Sequence, residues 1–242
     1  QGLCYVEALS SFAISGYMEN DAEGNKQNSR IYLVNPDTNE SRMFIIDGYT
    51  GHAGGIASSG NDLWISSGGS ASSDGKIYHF STDLFKTENG AKIKYDGYFS
   101  VPVKGSVLYC DDNKLWVCEF YNNDKDSNKV NKEHHYGSNH AWACGYNLPV
   151  DVDYSAKEKL TPDVVLSVPD KVQGMAITDD SEVVFSTSYG RRNNSKLHVF
   201  EPYSEWKSDT VNVYGTEIPI YIAKRKTRIT RFKMPTLMEG LD

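Results

Sequence analysis

Polar residues beside a recurring glycine are the first candidates for chemistry in this sequence. The glycine recurs at Gly2, Gly55, Gly105, Gly174 and Gly240. The candidates are the polar residues directly before four of these glycines, together with a histidine near the second one: Gln1, His52, Lys104, Gln173 and Glu239. Grouped in space, they could bind a sugar or a carboxylate, and Glu239 with His52 could hold a metal ion or act as acid and base. The alternative is that these side chains only hydrogen-bond to water.

A second set of candidates lies at equivalent places further along each repeat, directly after an apolar segment. These segments are Ser67-Gly68-Gly69, Glu119-Phe120-Tyr121 and Ser188-Tyr189-Gly190-Arg191-Arg192. Glu119, Tyr189 and Arg191 are the members that could contact a ligand at a shared rim. A tyrosine recurs there at positions 17, 121 and 189, and this repetition also fits a structural role, in which the ring packs on a neighbouring unit and the hydroxyl ties down a loop.

Other groups of reactive residues give weaker signals. His134, His135 and His140 do not have a recognised zinc-ligand spacing. The basic run 224–228 occurs in an acidic chain, so a solvated or salt-bridged face explains it better than a nucleic-acid patch. The four cysteines contain no CxxC pair and fit buried free thiols, with a cross-strand pair of Cys110 and Cys118 as the alternative. The sequence lacks the GxSxG, P-loop, HExxH and dinucleotide-binding motifs.

The elements that carry these residues repeat along the chain. The template is the stretch 173–202, in which three short strands (Met175–Thr178, Val183–Ser188 and Lys196–Phe200) are joined by polar turns. Repeats with the same order of strands and turns occupy about 1–51, 52–102, 103–171 and 172–237, and 238–242 begins another. The fourth repeat is extended by Ile218–Ile222 and Thr227–Lys233, and the longer repeats differ mainly in polar loops, as repeat folds tolerate.

Short strands at a period of roughly 50 to 70 residues predict an all-β fold, a single β-propeller domain of four-stranded blades. Each blade has two apolar faces that it buries only by stacking on neighbours. Crowding of backbones near the axis favours glycine at the start of each inner strand. Trp64 and Trp116, in matching second strands, are then expected to pack between blades. Because a ring avoids a free edge, four repeats and the start of a fifth favour a native five-bladed ring with both ends outside this chain, with closure by four blades as the alternative.

Composition excludes several classes of function. The net charge of −7 opposes broad electrostatic binding to nucleic acid or anionic lipid. No apolar run approaches the roughly 20 residues of a membrane span. The sequence begins inside a repeat, so no signal peptide is expected within it.

The segments YTGHAGGIASSGNDLWISSGG, LWVCEFY, VQGMAITDDSEVVFSTSYGR and MEGLD resemble a group of uncharacterised propeller proteins of Gram-positive, often gut-associated, bacteria. That resemblance covers nearly the whole chain and implies export to the cell surface or medium. A weaker similarity is to gluconolactonase and senescence-marker propellers and to NHL-type repeats. In the lactonase family a Glu beside a Gly on an inner strand helps to hold a divalent metal such as Ca²⁺, and Glu239-Gly240 matches that pair. The partner Asn and Asp positions of that family have no counterpart here.

Three functional hypotheses follow. The first is a non-enzymatic binding or scaffold propeller, extracellular or at the cell surface, that recognises a glycan, peptide or protein through its rim loops. The second is a metal-dependent lactonase or hydrolase that works in the central channel through Glu239 and His52. The third is another enzyme, such as a lyase that acts on a sugar polymer.

Overall fold

A computed structural model describes residues 2–68, 73–111, 113–123, 129–236, 238 and 241. Its strands form four mainly antiparallel sheets arranged as the blades of a β-propeller, as the sequence predicts. No α-helix occurs in these residues, and none of their helical segments is long and apolar enough to cross a membrane. Short 3-10 turns link strands at Glu7–Leu9, Thr82–Lys86, Lys132–His134, Tyr203–Glu205 and Arg225–Thr227.

The first two blades follow one another along the chain. Blade 1 contains β1 (Gly2–Val6), β2 (Ser11–Gly16), β3 (Arg30–Val34) and β4 (Ser41–Ile46). The next strands are β5 (Ile56–Ser59), β6 (Asp62–Ser67), β7 (Gly75–Ser81), β8 (Lys92–Ile93) and β9 (Gly97–Val101). Of these, β5, β6, β7 and β9 form blade 2, whereas the short β8 pairs in parallel with β4 and so ties blade 2 to blade 1.

The last two blades contain the remaining strands. Blade 3 contains β10 (Gly105–Cys110), β11 (Lys114–Glu119), β12 (Ala141–Asn147) and β13 (Val164–Val168). Blade 4 contains β14 (Val172–Ile177), β15 (Glu182–Thr187), β16 (Ser195–Pro202) and, after a hairpin of β17 (Lys207–Val213) and β18 (Thr216–Ile222), the outer strand β19 (Arg228–Met234). The strands predicted within 173–202 therefore occur within about three residues of their expected bounds.

One strand belongs to a different blade from the one that the sequence suggests. We expected Ile218–Ile222 to extend the fourth repeat, but β18 pairs in parallel with β13, at the outer edge of blade 3. The reason is its alternation of apolar residues: Ile218 and Ile220 are buried in the core between blades 2 and 3. Strand β17 then covers β18 as the far edge of that sheet.

Three hydrophobic cores fill the interfaces between consecutive blades of the described chain. Blades 1 and 2 share one core, blades 2 and 3 a second, and blades 3 and 4 a third. Trp64 and Trp116 are 0 % and 1 % exposed and belong to the second and third cores, which confirms their predicted place between blades. The Trp64 Nε1–H donates to the Tyr154 hydroxyl at 3.1 Å, so its one polar atom is also satisfied on burial.

Close contact between inner strands explains the recurring glycine at two positions. A Cβ on Gly55 would lie 2.4 Å from the backbone nitrogen of Leu108, and one on Gly2 would lie 2.6 Å from the nitrogen of Ile56. Such distances are far inside van der Waals contact, and the obstructing atoms are backbone. The sequence-based reason given for these glycines, crowding near the axis, is therefore confirmed.

Candidate ligand site on blade 4

A basic region of the described molecule forms an open cleft of about 690 Å³ beside blade 4. We call it the blade 4 cleft. Its walls come from the linker that leads from β13 into β14, from the end of β15 with the following turn, and from β16 and β19. The polar side chains that define it are Lys171, Tyr189, Asn193, Lys196, His198, Arg231 and Lys233.

Strand register places the basic side chains on one face. Lys196 pairs with Lys233 and His198 with Arg231, and the alternation along β16 puts Lys196 and His198 on the same side as Phe200. The inner half of that face, which includes Phe200, is buried in the core against blade 3. The other half of that face, which carries Lys196, Arg231 and Lys233, extends beyond the core. These three cations therefore line the cleft and are not buried in a protein interface.

The charges of this cleft are largely uncompensated. Among the described residues, no carboxylate forms an ion pair with Lys196, Arg231 or Lys233. Asp170, which also lines the cleft, is held by the Nδ1 of His140 at 2.9 Å and by the His140 backbone N–H at 3.2 Å. Fixed cations at the wall of a cleft attract anions, and more strongly so where the wall has a low dielectric constant. This arrangement suits an anionic ligand.

The pKa of His198 reflects its burial and the positive charges around it. Burial, followed by the charges of Arg228, Arg231 and Lys196, lowers the pKa of His198 to about 4. The ring is therefore neutral at pH 7. The Nδ1 lies 3.5 Å from the Arg228 guanidinium, which can only donate, so Nδ1 accepts and the proton is on Nε2, which is 3.1 Å from Thr187 Oγ1. The cleft can thus offer His198 as a fixed neutral group among cations.

Tyr189 is the rim candidate that the structure places in this cleft. The ring of Tyr189 lies under the Lys171 ammonium, with Nζ 5.2 Å from the ring centroid, and the ring of Phe120 lies 6.3 Å away. The contact with Lys171 is a cation–π pair that holds both side chains at the cleft edge. Arg191 is exposed in the turn that follows Tyr189 and is not part of the lining.

Glu119, the third rim candidate, is 1 % exposed and is held by protein groups. Its carboxylate accepts the backbone N–H groups of Lys104 and Trp142 at 3.1 and 3.0 Å, and both of its oxygens lie 3.0 Å from His134 Nδ1. The His134 ring stacks on Trp142 with centroids 3.9 Å apart. The arrangement fixes the 132–134 turn on blade 3 and explains how a carboxylate can be buried there.

The channel candidates do not surround a ligand-sized space within the described residues. Gln173 lines a gap of about 10 Å³, room for a single water at most, between the starts of the inner strands. His52 is exposed and packs against Tyr17, with ring centroids 4.5 Å apart. Burial lowers the pKa of Lys104, although the nearby Glu119 opposes the shift. The Lys104 backbone N–H donates to the Glu119 carboxylate at 3.1 Å, so Lys104 lies beside Glu119, in blade 3.

Gln1 and Glu239 lie outside the described residues. Within the described residues no group of three or more His, Cys, Asp and Glu is arranged to hold a metal ion. The predicted divalent metal at Glu239 therefore stays a prediction. The four cysteines are free thiols, in agreement with the expectation from their spacing.

A second open cleft, also of about 690 Å³, lies at the other end of the blades. It is lined by the turns between first and second strands, including Glu7, Asp111 and Asp179, with Lys114 as the basic member. Its charge is opposite to that of the blade 4 cleft. Ligands of opposite sign are therefore favoured at the two ends of the molecule.

Comparison with known proteins identifies no family. The chain matches no protein-family model and no curated protein. Among solved structures it is similar to Kuenenia stuttgartiensis hydrazine synthase, with 9 % identity and a TM-score of 0.43 over 84 % of this chain, which spans 46 % of that one. The computationally designed protein Ika4 is also 9 % identical, with a TM-score of 0.35 over 79 % of this chain and 96 % of that one. The designed protein Ika8 is 9 % identical, with a TM-score of 0.39 over 100 % of this chain and 64 % of that one. Likenesses this distant support no statement about activity.

Proposed function

We propose that this protein is a non-catalytic binding propeller, at the cell surface or in the medium, that captures an acidic glycan in the blade 4 cleft. The observation that supports this proposal is the cluster of Lys171, Lys196, Arg231 and Lys233 around one open cleft. The whole chain has a net charge of −7, so this cluster runs against the overall charge.

The chemistry of the cleft suits a carboxylated or sulfated sugar. Lysine and arginine form short, charge-assisted hydrogen bonds with carboxylate and sulfate oxygens. Asn193 adds an amide, of which one Nδ2–H donates to the Tyr189 carbonyl at 2.9 Å. Its second N–H can donate to a carboxylate or sulfate oxygen, and its amide oxygen can accept from a sugar hydroxyl. The Tyr189 ring supplies an apolar surface at the edge, and a site that combines a few fixed polar groups with an aromatic ring is typical of small-ligand pockets.

Titration calorimetry with polygalacturonate tests the proposal, and dextran serves as the neutral polymer. We expect polygalacturonate to bind and dextran not to bind at equal sugar concentration. Each of Lys196→Ala and Arg231→Ala should weaken binding by about tenfold, which corresponds to about 1.4 kcal/mol. Binding should also weaken as salt rises, since the attraction is electrostatic.

Lys226→Ala is the matched control, because Lys226 is an exposed cation in the Arg225–Thr227 turn and is not part of the cleft lining. This variant should bind polygalacturonate as the parent chain does. Equal binding of both polymers, or an equal loss in Lys226→Ala and Lys196→Ala, would show that the cleft does not select anions, and the proposal would then be rejected.

A further inference from the structure

Blade 1 exposes an apolar face on the side away from blade 2. Register places Leu3, Ile14, Tyr32 and Met43 in one row across its four strands, with Tyr5 and Phe12 in the next row. Leu3 and Tyr5 are each 40 % exposed. The opposite face of the same strands is buried in the core shared with blade 2. A contiguous row of apolar side chains on an outer face is typical of a contact surface.

Blade 4 exposes a second apolar face on the side away from blade 3. Val184 pairs with Val199, and Leu197 pairs with Phe232 on the outer strand. Leu197 and Val199 are half-buried, and Phe232 is 51 % exposed. We call the space between this face and that of blade 1 the seam. The three cores of the described chain lie between the other pairs of neighbouring blades.

Met238, at the start of the fifth repeat, is bonded to blade 4 as Ala53, before blade 2, is bonded to blade 1. Ser15 pairs with Gly2 of its own inner strand and donates through Oγ to the carbonyl of Ala53, at 2.9 Å. Ser186 pairs with Gly174 and donates through Oγ to the carbonyl of Met238, at 3.1 Å. Ala53 and Met238 each stand two positions before the glycine of the next repeat. A serine bond of the kind that joins blade 1 to Ala53 therefore joins blade 4 to Met238.

Leu241 continues this equivalence. It follows the repeat glycine as Ile56 follows Gly55. Leu241 lines the small gaps at the axis together with Leu3, Ile56 and Leu108, which belong to the inner strands of blades 1, 2 and 3. Leu241 thus reaches the ring of inner strands.

We propose that the seam is the seat of a fifth four-stranded blade of this same repeat, and that Met238 lies at the start of its inner strand. A blade has two apolar faces, so one such unit covers both exposed faces at once, as each blade in a propeller does. A flat partner would cover only one of them. The bond from Ser186 to Met238 fixes where the inner strand starts, and burial of Leu3, Tyr5 and Phe232 supplies the driving force.

The test extends the chain after Asp242 with a copy of residues 58–102, which keeps Gly240 in register with Gly55. The control carries the same added residues in permuted order. Hydroxyl-radical footprinting then measures side-chain labelling, with the exposed Tyr214 of the β17–β18 turn as internal reference. We expect labelling of Leu3, Tyr5 and Phe232 to fall about fivefold in the extended chain relative to the control, with Tyr214 unchanged. Equal labelling in the two chains would overturn the proposal.

A second measurement uses the 242-residue chain alone and so does not depend on the folding of the added segment. Leu3, Tyr5 and Phe232 should be labelled as exposed groups at every protein concentration. Protection that increases with concentration would mean that a second copy of the chain covers the seam. Protection at all concentrations would mean that the four blades close on themselves. Either result contradicts a fifth-blade seat.

Discussion

His198 links the charge of the blade 4 cleft to the stability of the fold. Its pKa lies at about 4 in the folded protein, because the ring is buried and because Arg228, Arg231 and Lys196 oppose a further positive charge. In the unfolded chain a histidine titrates at a pKa of about 6.5. Between these two values the unfolded chain binds more protons than the folded protein, and folding stability therefore falls as the pH falls from about 6.5 to about 4.

The size of this effect follows from the two pKa values. A shift of about 2.5 units corresponds to roughly 3 kcal/mol when the histidine is fully titrated, and about 2.5 kcal/mol of that is lost by about pH 4.5. His198 is 8 % exposed, so solvent screens little of this interaction. A loss of this size is a large fraction of the roughly 5–15 kcal/mol of a typical domain.

The effect is measured as the free energy of unfolding in urea, for the parent chain and for His198→Gln, at several pH values between about 4.5 and 7.5. Other groups contribute equally to both curves, so their difference isolates His198. We expect the free energy of unfolding to fall more steeply with acid in the parent chain, by about 2.5 kcal/mol at pH 4.5. Arg231→Gln should raise the pKa of His198 in an NMR titration, whereas Arg225→Gln, an exposed arginine outside the cleft lining, should not. Parallel unfolding curves, or a His198 that titrates at about 6.5 or above, would refute the argument.

Two further substitutions test buried features. Glu119→Ala should lower the free energy of unfolding in urea by about 2–4 kcal/mol, because it leaves two backbone N–H groups and His134 without their acceptor. Glu133→Ala, on the exposed part of the 132–134 turn, is the control and should change stability by less than about 0.5 kcal/mol. An equal cost for both would contradict the buried role. Gly55→Ala should lower the melting temperature by several degrees, since the added Cβ would lie 2.4 Å from a backbone nitrogen. Gly68→Ala is the matched control and should leave the melting temperature nearly unchanged, since its Cβ would have its nearest contact at 3.8 Å.

The sequence predicts the propeller because each repeat carries the same local information. The alternation of apolar residues, the polar turns and the inner-strand glycine all recur, so a pattern that is weak in one repeat can be recognised from the others. Ile218–Ile222 shows the limit of this reasoning. Its apolar alternation correctly predicts a strand, but a strand can pair with either neighbouring sheet edge, and only the packing of Ile218 and Ile220 on the core between blades 2 and 3 selects β13.

Of the side chains that define the blade 4 cleft, the sequence predicts only Tyr189, for a similar reason. Lys196 and His198, like Arg231 and Lys233, stand two positions apart, a spacing that places each pair on one face of a strand. What the spacing does not say is which face, or that the two pairs lie opposite each other across β16 and β19. Glu119 was correctly placed at the end of a second strand, but its burial depends on Lys104 and Trp142, which lie 15 and 23 residues away in sequence.

The blade 4 cleft and the seam are opposite faces of the same two strands. Along β16, Lys196 and His198 face the cleft while Leu197 and Val199 face the seam. On β19, Arg231 lines the cleft, and Phe232 pairs with Leu197 on the seam side while it also contributes to the cleft edge. A blade seated in the seam would therefore stiffen the wall of the cleft without adding or removing any of its charges, and stiffer walls reduce the ordering cost of binding. The extended chain with the added blade should accordingly bind polygalacturonate more tightly than the chain with the permuted segment, and the difference should persist in Lys226→Ala but shrink in Lys196→Ala. If the added blade protects Phe232 yet leaves the affinity unchanged, the two faces act independently.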